Sequence, residues 1–340
     1  MNKTLFLFLV LSLPIASMAS MNVIRENSGK VISVNPWSYL DEEVMWASVY
    51  SSNPDGGKIN GYIKAKYATE FSYIKNHTHH VNDNITFAQG VFRSHDLPGW
   101  YLGFSSNRNA NYSGPYGRYE YQNSTFNTEV VVGKEFRYDN IRFGAEVMGG
   151  YQSSGFSDDQ GKIGYWNARL KLFTDIQIDD HFSIFGYVYQ QFDRKRIRND
   201  ENDRDSRSTV IEPGIQYIIN NNNGVWIRTH ASFARLEREK WGNIKDKDNV
   251  TSIGYWNIWD RLQTSISTGI GKYKKYNSQN SEIFYNRNYN YVQLNATYPI
   301  TDRFTLYGEV KRMHLNEIGN WSTNSKGNIY NYKAMIDFNF

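Results

Sequence analysis

The chain has 340 residues, 16% of them aromatic, no cysteine, and a formal charge of +4. The lack of cysteine excludes disulfides, thiolate catalysis and a lipid-modified cysteine anchor. Charge so near balance argues against a dedicated nucleic-acid binder.

Residues 1–19 read as a signal peptide. Lys3 is the positive start, Leu5 to Leu13 the apolar stretch, Pro14 the break, and Ser17-Met18-Ala19 a small-x-small cleavage site. No other run of about 20 apolar residues follows, which excludes a helical membrane protein. A polar chain rich in Tyr and Trp instead suits strands with one wet face and aromatics at the membrane interfaces.

Residues 20–44 alternate only weakly and hold Pro36, Trp37 and the acids Asp41, Glu42 and Glu43. Two readings are open for this segment: a periplasmic tail, or a segment folded into the lumen of whatever follows. Residues 45–340 are expected to form one transmembrane β-barrel. Met45 to Tyr50 is read as a short strand or the approach to the first one, and Asp55-Gly56-Gly57 as a turn.

From Gly61 the period becomes two. Ile63, Ala65, Tyr67, Thr69, Phe71 and Tyr73 share one face, with Lys64, Lys66, Glu70 and Ser72 opposite. His77 to Asn84 reads as a polar loop, and Ile85 to Arg93 as a strand. Asp96-Leu97-Pro98-Gly99 is a tight turn, and Trp100, Leu102 and Phe104 begin the next strand. A Gly/Asn/Ser-rich loop is expected to run to about Gly117. Then Phe126, Thr128, Val130 and Val132 oppose Asn127, Glu129 and Gly133. Ile141, Phe143, Ala145 and Val147 oppose Arg142 and Glu146, with a loop at 153–162. Trp166, Leu170 and Leu172 oppose Arg169, Lys171 and Asp175.

The cadence continues to the C-terminus. Ile184 and Val188 oppose Phe185, Tyr187 and Tyr189, ahead of a charged loop at 193–207. Ile211, Ile215 and Tyr217 oppose Glu212 and Gln216. Pro213 withholds a ladder donor there, which predicts a bulge. Val225, Ile227 and Phe233 oppose Trp226, Arg228 and His230, with a charged loop at about 237–249. Two strands meet at Trp259-Asp260-Arg261. Val292 and Leu294 oppose Tyr291 and Gln293; Leu306 and Val310 oppose Tyr307, Glu309 and Lys311, and 315–327 is the last loop. In the final strand Tyr330, Tyr332, Ala334, Ile336, Phe338 and Phe340 oppose Asn331, Lys333, Met335, Asp337 and Asn339.

About fourteen strands result, joined alternately by short turns and by polar loops of roughly 7 to 15 residues. An even count with that alternation is what an antiparallel up-and-down outer-membrane barrel requires, with both termini on the short-turn, periplasmic side. Each backbone group in a bilayer must be paired, so the strands must close on one another.

From about Arg118 to Phe340 the sequence resembles the monomeric fourteen-stranded porins typified by OmpG, a group that includes the cyclodextrin-specific porin. The resemblance rests on acidic turns after TDIQIDD and TYPITD, on Pro213-Gly214-Ile215-Gln216-Tyr217 ending one strand, and on the terminal aromatic. It implies a monomer in outer-membrane lipid whose last strand, ending at Phe340, is read by the barrel-assembly machinery. OmpG begins its first strand sooner after the leader. If residues 20–44 fold into the lumen and narrow the pore, the chain resembles the cyclodextrin porin in that respect; the periplasmic tail stays open beside it.

Fourteen strands lie between barrels filled by side chains and wide aqueous channels, so passage of small oligosaccharides is expected. The pore-lining and substrate-binding candidates are Arg142, Glu146, Arg169, Lys171, Tyr187, Tyr189, Glu212, Trp226, Arg228, Tyr291, Tyr307, Glu309 and Lys333. Arg261 is also placed on the wet face. Mixed charges hydrogen-bond sugar hydroxyls and Tyr or Trp rings contact the C–H faces of sugars. Two simpler readings stay open: that the charges only satisfy each other, and that the rings only fill space.

The function expected is passive diffusion of neutral oligosaccharides such as cyclodextrins or maltodextrins. Acidic, oligogalacturonate-type oligomers are the alternative. An enzyme or an adhesive barrel is the alternative from another class, but no GxSxG motif and no Ser–His pairing appears. His77, His79 and His80 read as solvated loop residues, and no metal or cofactor is expected.

Overall fold

Strict alternation of outward apolar and inward polar side chains dictates long antiparallel strands with two unlike faces. The computed structural model describes residues 23–25, 31–34, 59–74, 79–94, 96–114, 120–156, 163–197, 204–236, 243–279, 282–301, 304–318 and 326–339. The leader, most of 20–44, Met45 to Tyr50, Asp55 to Gly57 and the terminal Phe340 lie outside the described residues.

The chain divides into two compact units, Met1–Pro54 and Asp55–Phe340. The division falls later than the 44/45 boundary read from sequence. In the first unit, β1 (Val23–Arg25) pairs antiparallel with β2 (Val31–Val34).

The second unit carries β3 (Ile59–Ile74), β4 (His79–Ser94), β5 (Trp100–Gly114), β6 (Glu120–Tyr138), β7 (Ile141–Phe156), β8 (Ile163–Gln177) and β9 (Phe182–Ile197). It continues with β10 (Arg204–Asn220), β11 (Asn223–Leu236), β12 (Ile244–Trp259), β13 (Leu262–Asn277), β14 (Ile283–Pro299), β15 (Phe304–Ile318) and β16 (Lys326–Asn339). Each pairs antiparallel with its chain neighbour. β16 also pairs with β3, from Ile329↔Ile74 to Asn339↔Lys64, so the ladder returns on itself as one up-and-down barrel.

The outer face is a band of exposed apolar side chains, among them Val130, Val147, Leu172, Ile227, Ile266 and Leu294. Val147 is 60% exposed and Leu172 51%. An apolar surface this extensive has no place in water and matches a lipid contact. Aromatics flank it. Phe136, Phe143, Trp259 and Phe304 stand at the end with the tightest turns; Phe126, Trp166, Phe192 and Phe233 stand toward the other. Along β6, ten residues separate Phe126 from Phe136. At a tilt of roughly 40° that is about 26 Å, the height of a bilayer's hydrocarbon band.

Three expectations need correction. The strands run well past the apolar band: the segments read as loops at 77–84, 105–117, 193–197, 204–207, 244–249 and 315–318 are largely strand. Beyond the lipid the outward face has no need to be apolar, so the alternation fades while the ladder continues. The links opposite the tight turns therefore fall at or below the short end of 7 to 15 residues, from four at 75–78 between β3 and β4 to seven at 237–243 and 319–325.

Second, Pro213 makes no bulge. Pairing with β11 skips Glu212 and Pro213 but resumes in the same register, Ile211↔Ala231 and then Gly214↔Arg228. The missing donor removes a rung without adding a residue. Third, Arg261 is in the β12–β13 turn, exposed, and not on the inner wall.

The turns follow local chemistry. Asp139 and Asp260 open two-residue turns with φ of 47° and 54°, which Asp tolerates better than most residues. Between β8 and β9, Asp179 Oδ1 accepts hydrogen bonds from the backbone N–H of His181 and Phe182, both at 2.7 Å. These bonds hold the exposed Asp179 carboxyl below the usual carboxylate range.

Candidate functional site

The inner wall is built from the alternate residues that the apolar band leaves pointing inward. Arg261 apart, the residues read from sequence as wall candidates lie at inward-alternating positions: Arg142 and Glu146 on β7, Arg169 and Lys171 on β8, Tyr187 and Tyr189 on β9, and Glu212 on β10. Trp226 and Arg228 follow on β11, Tyr291 on β14, Tyr307 and Glu309 on β15, and Lys333 on β16. The structure gathers them into clusters fixed by strand register.

One cluster spans β9 to β11. Glu212 stands directly opposite Tyr187, whose hydroxyl donates to Oε2 at 2.8 Å. Arg228 Nη1 donates to Glu212 Oε1 at 2.7 Å, and His230 Nδ1 lies 2.7 Å from Oε2. The Arg228 guanidinium sits 5.3 Å over the Trp226 ring. One buried carboxylate thus organises a cation, an imidazole and a phenol, and burial without such partners would be costly.

A second cluster joins β5, β7, β8 and β9. Glu146 and Lys171 are cross-strand partners and form an ion pair. Tyr101 donates to Glu146 Oε1 at 2.6 Å. Arg169 stacks 5.1 Å over Tyr189, whose ring lies parallel to that of Tyr187 at 6.0 Å. Nearer the tight turns, Glu135 bridges Arg137 at 2.5 Å and Arg142 at 3.1 Å.

On the other side of the ring, Tyr307 donates to Glu309 Oε2 at 3.1 Å, and Lys311 lies 4.6 Å over the Tyr291 ring. Glu309 is registered with Lys333. Toward the open end, Arg287 and Glu317 are cross-strand partners joined in a two-pronged ion pair.

The inner rings do not stand out into the lumen. Trp226 lies against Gly254 and Tyr291 against Gly269, in each case the residue directly opposite on the next strand. A Cβ at Gly254 would fall 2.4 Å from the indole, and one at Gly269 would fall 2.4 Å from the phenol ring. The arrangement recurs at Tyr101 over Gly133 and Phe185 over Gly214. Glycine lets each of these four rings approach the neighbouring strand's backbone more closely than any side chain there would allow.

Sequence reasoning missed Tyr101, Glu135, Arg287 and Glu317 as site residues. Tyr101 was within reach, since it alternates with Trp100 and Leu102. Arg287 and Glu317 lie where the outward alternation has faded. Among the described residues no group of three or more His, Cys, Asp or Glu converges to hold a metal ion. His79 and His80 begin β4 and are not loop residues.

A family model matches residues 56–339, nearly the whole barrel unit. The chain belongs to the OMPG-porin 1 family. It is a bacterial outer-membrane porin. No curated protein sequence is similar to it. Among solved structures, the porin is similar to the toluene transporter TodX of Pseudomonas putida. The match has TM-score 0.51 and 9% identity and covers 95% of this chain and 96% of TodX. It is also similar to a loop L8 deletion mutant of OmpT from Vibrio cholerae, with TM-score 0.45, 11% identity, and coverage of 84% and 100%. The likeness to TodX concerns the fold alone.

Proposed function

We propose that the porin is a fourteen-stranded, water-filled channel for passive diffusion of neutral oligosaccharides, of cyclodextrin or maltodextrin type. The observation that carries this reading is the pairing of inner-wall charges. Glu146 with Lys171, Glu212 with Arg228, and Arg287 with Glu317 leave a polar wall without a large field of one sign. A wall of this kind offers hydroxyl-binding groups at many levels and deep ionic binding at none. Weak repeated binding is what conduction needs.

In this reading both termini and the tight turns face the periplasm. The porin acts as a monomer, without catalysis, and its final strand engages the assembly machinery. Residues 20–44 either narrow the pore or form a periplasmic tail. Deleting them and recording single-channel current separates the two: a larger conductance assigns them to the pore.

The alternative substrate is an acidic oligosaccharide. Current block by maltodextrins or cyclodextrins, with no block by oligogalacturonates of equal length, supports the neutral reading. The reverse pattern refutes it. A sealed barrel in the same recordings favours an adhesive or structural role.

A further inference from the structure

The outward face of β10 to β13 changes character above the aromatics farther from the tight turns. Arg207, Arg235 and Lys245 stand side by side on three adjacent strands, since register pairs Arg207 with Arg235 and Arg235 with Lys245. One rung nearer the apolar band, Lys247 stands opposite Lys274, and Lys272 follows on the next rung. The alternation puts all six on the lipid-side face, in line with the exposed Phe233, Ile253 and Ile270. Lys245, for example, shares its face with Lys247 and Ile253, while Asp246 and Asp248 point inward.

Two contacts fix the height of this patch. Arg207 lies 5.6 Å over Phe192 and Lys247 5.9 Å over Phe233, so the cations rest on the aromatic girdle. Among the described residues of β10 to β13 the single outward acid is Asp205, 4.0 Å from Arg194. Like charges directly opposite each other destabilise a strand pair. A multivalent anion lying across such a row lowers that repulsion. An Arg fork beside ammonium groups matches the oxygens of phosphate.

We propose that this band binds the phosphorylated headgroup of the outer-leaflet glycolipid, lipid A, and holds it as a bound lipid against β10 to β13. The continuity of the cations with the apolar band selects a lipid over a free anion. The ligand must present phosphates at the girdle and acyl chains below it. Juxtamembrane Lys and Arg attract anionic headgroups by this same electrostatics. The inference rests on the reading that the tight turns face the periplasm, which sets this band in the outer leaflet.

The test uses the whole mature porin in detergent. Native mass spectrometry counts adducts with bisphosphorylated lipid A, monophosphorylated lipid A or phosphatidylglycerol. The variant combines Arg207→Gln, Arg235→Gln, Lys245→Gln and Lys247→Gln; a second, milder variant is Lys247→Gln with Lys274→Gln. The wild type is expected to retain bisphosphorylated lipid A about tenfold better than phosphatidylglycerol, and the fourfold variant to lose that preference. The milder variant is expected to be intermediate. Heat-modifiable gel mobility and channel conductance should not change.

Three outcomes would overturn the proposal. These are equal retention by wild type and both variants, equal retention of phosphatidylglycerol, and displacement of lipid A by millimolar inorganic phosphate. If conductance is absent from the wild type while the lipid preference persists, the channel reading fails and the lipid site stands.

Discussion

Trp226 on β11 and Gly254 on β12 are cross-strand partners, and the indole lies so close to the glycine that a Cβ there would fall 2.4 Å from the ring. Arg228 covers the same ring at 5.3 Å and in turn holds Glu212. Removing one hydrogen atom's worth of space would therefore propagate to the ion pair on the wall.

Gly254→Ala is expected to swing the indole off the wall. Overpacking of this kind costs about 1–3 kcal/mol. Urea unfolding in detergent should show the loss, and single-channel conductance should fall as the ring enters the lumen. Gly308→Ala is the control, because nothing lies within 4 Å of a Cβ at that position. Equal effects at the two sites would contradict the packing argument.

Glu212→Gln removes the acid that compensates the buried Arg228 and also loosens Tyr187 and His230. Breaking a buried pair from one side costs about 3 kcal/mol. Adding Arg228→Met should recover part of that, because the stranded charge disappears. The double-mutant cycle reads this coupling, and additive losses would mean the two groups do not interact. Reversal-potential measurements on Glu212→Gln should shift toward anions.

Leu172 sits mid-band on the outer face, 51% exposed. If that face meets hydrocarbon, Leu172→Arg destabilises the barrel by about 2–4 kcal/mol in lipid vesicles. The same change at Thr209, above the band, should do much less. Folding titrations into vesicles supply the comparison.

Asp179 yields a pH dependence outside the membrane. Its folded pKa is depressed by the two backbone donors, so its contribution is present above the unfolded value of about 3.9 and is lost as pH falls through the folded value. Asp179→Ala should lower the unfolding midpoint at neutral pH, and the gap from wild type should close in strong acid. Asp179→Asn keeps an acceptor and should fall between. A gap that is constant from pH 7 to pH 2 would contradict the assignment.

Much of this barrel is legible in the chain wherever lipid imposes alternation. Val130, Val132, Leu170, Leu172, Ile211 and Ile215 announce their face by their neighbours, and the inward Glu212, Arg228 and Lys171 follow by parity. The signal ends where lipid ends. Ile244 to Asn249 is strand, but its outward residues Lys245, Lys247 and Asn249 are polar because water meets them there. The basic run of Arg207, Arg235 and Lys245 is invisible for a different reason: its members are far apart in sequence and only the register joins them. Pro213 misleads because withholding a donor and inserting a residue are separate events, and the strand does only the first.

Planar-bilayer recording of the purified mature protein reads the pore itself. Discrete ohmic steps are expected, interrupted reversibly when a neutral maltodextrin or cyclodextrin is added. A folded, heat-modifiable barrel that inserts but carries no current, or one that only acidic oligomers block, would contradict the proposed channel.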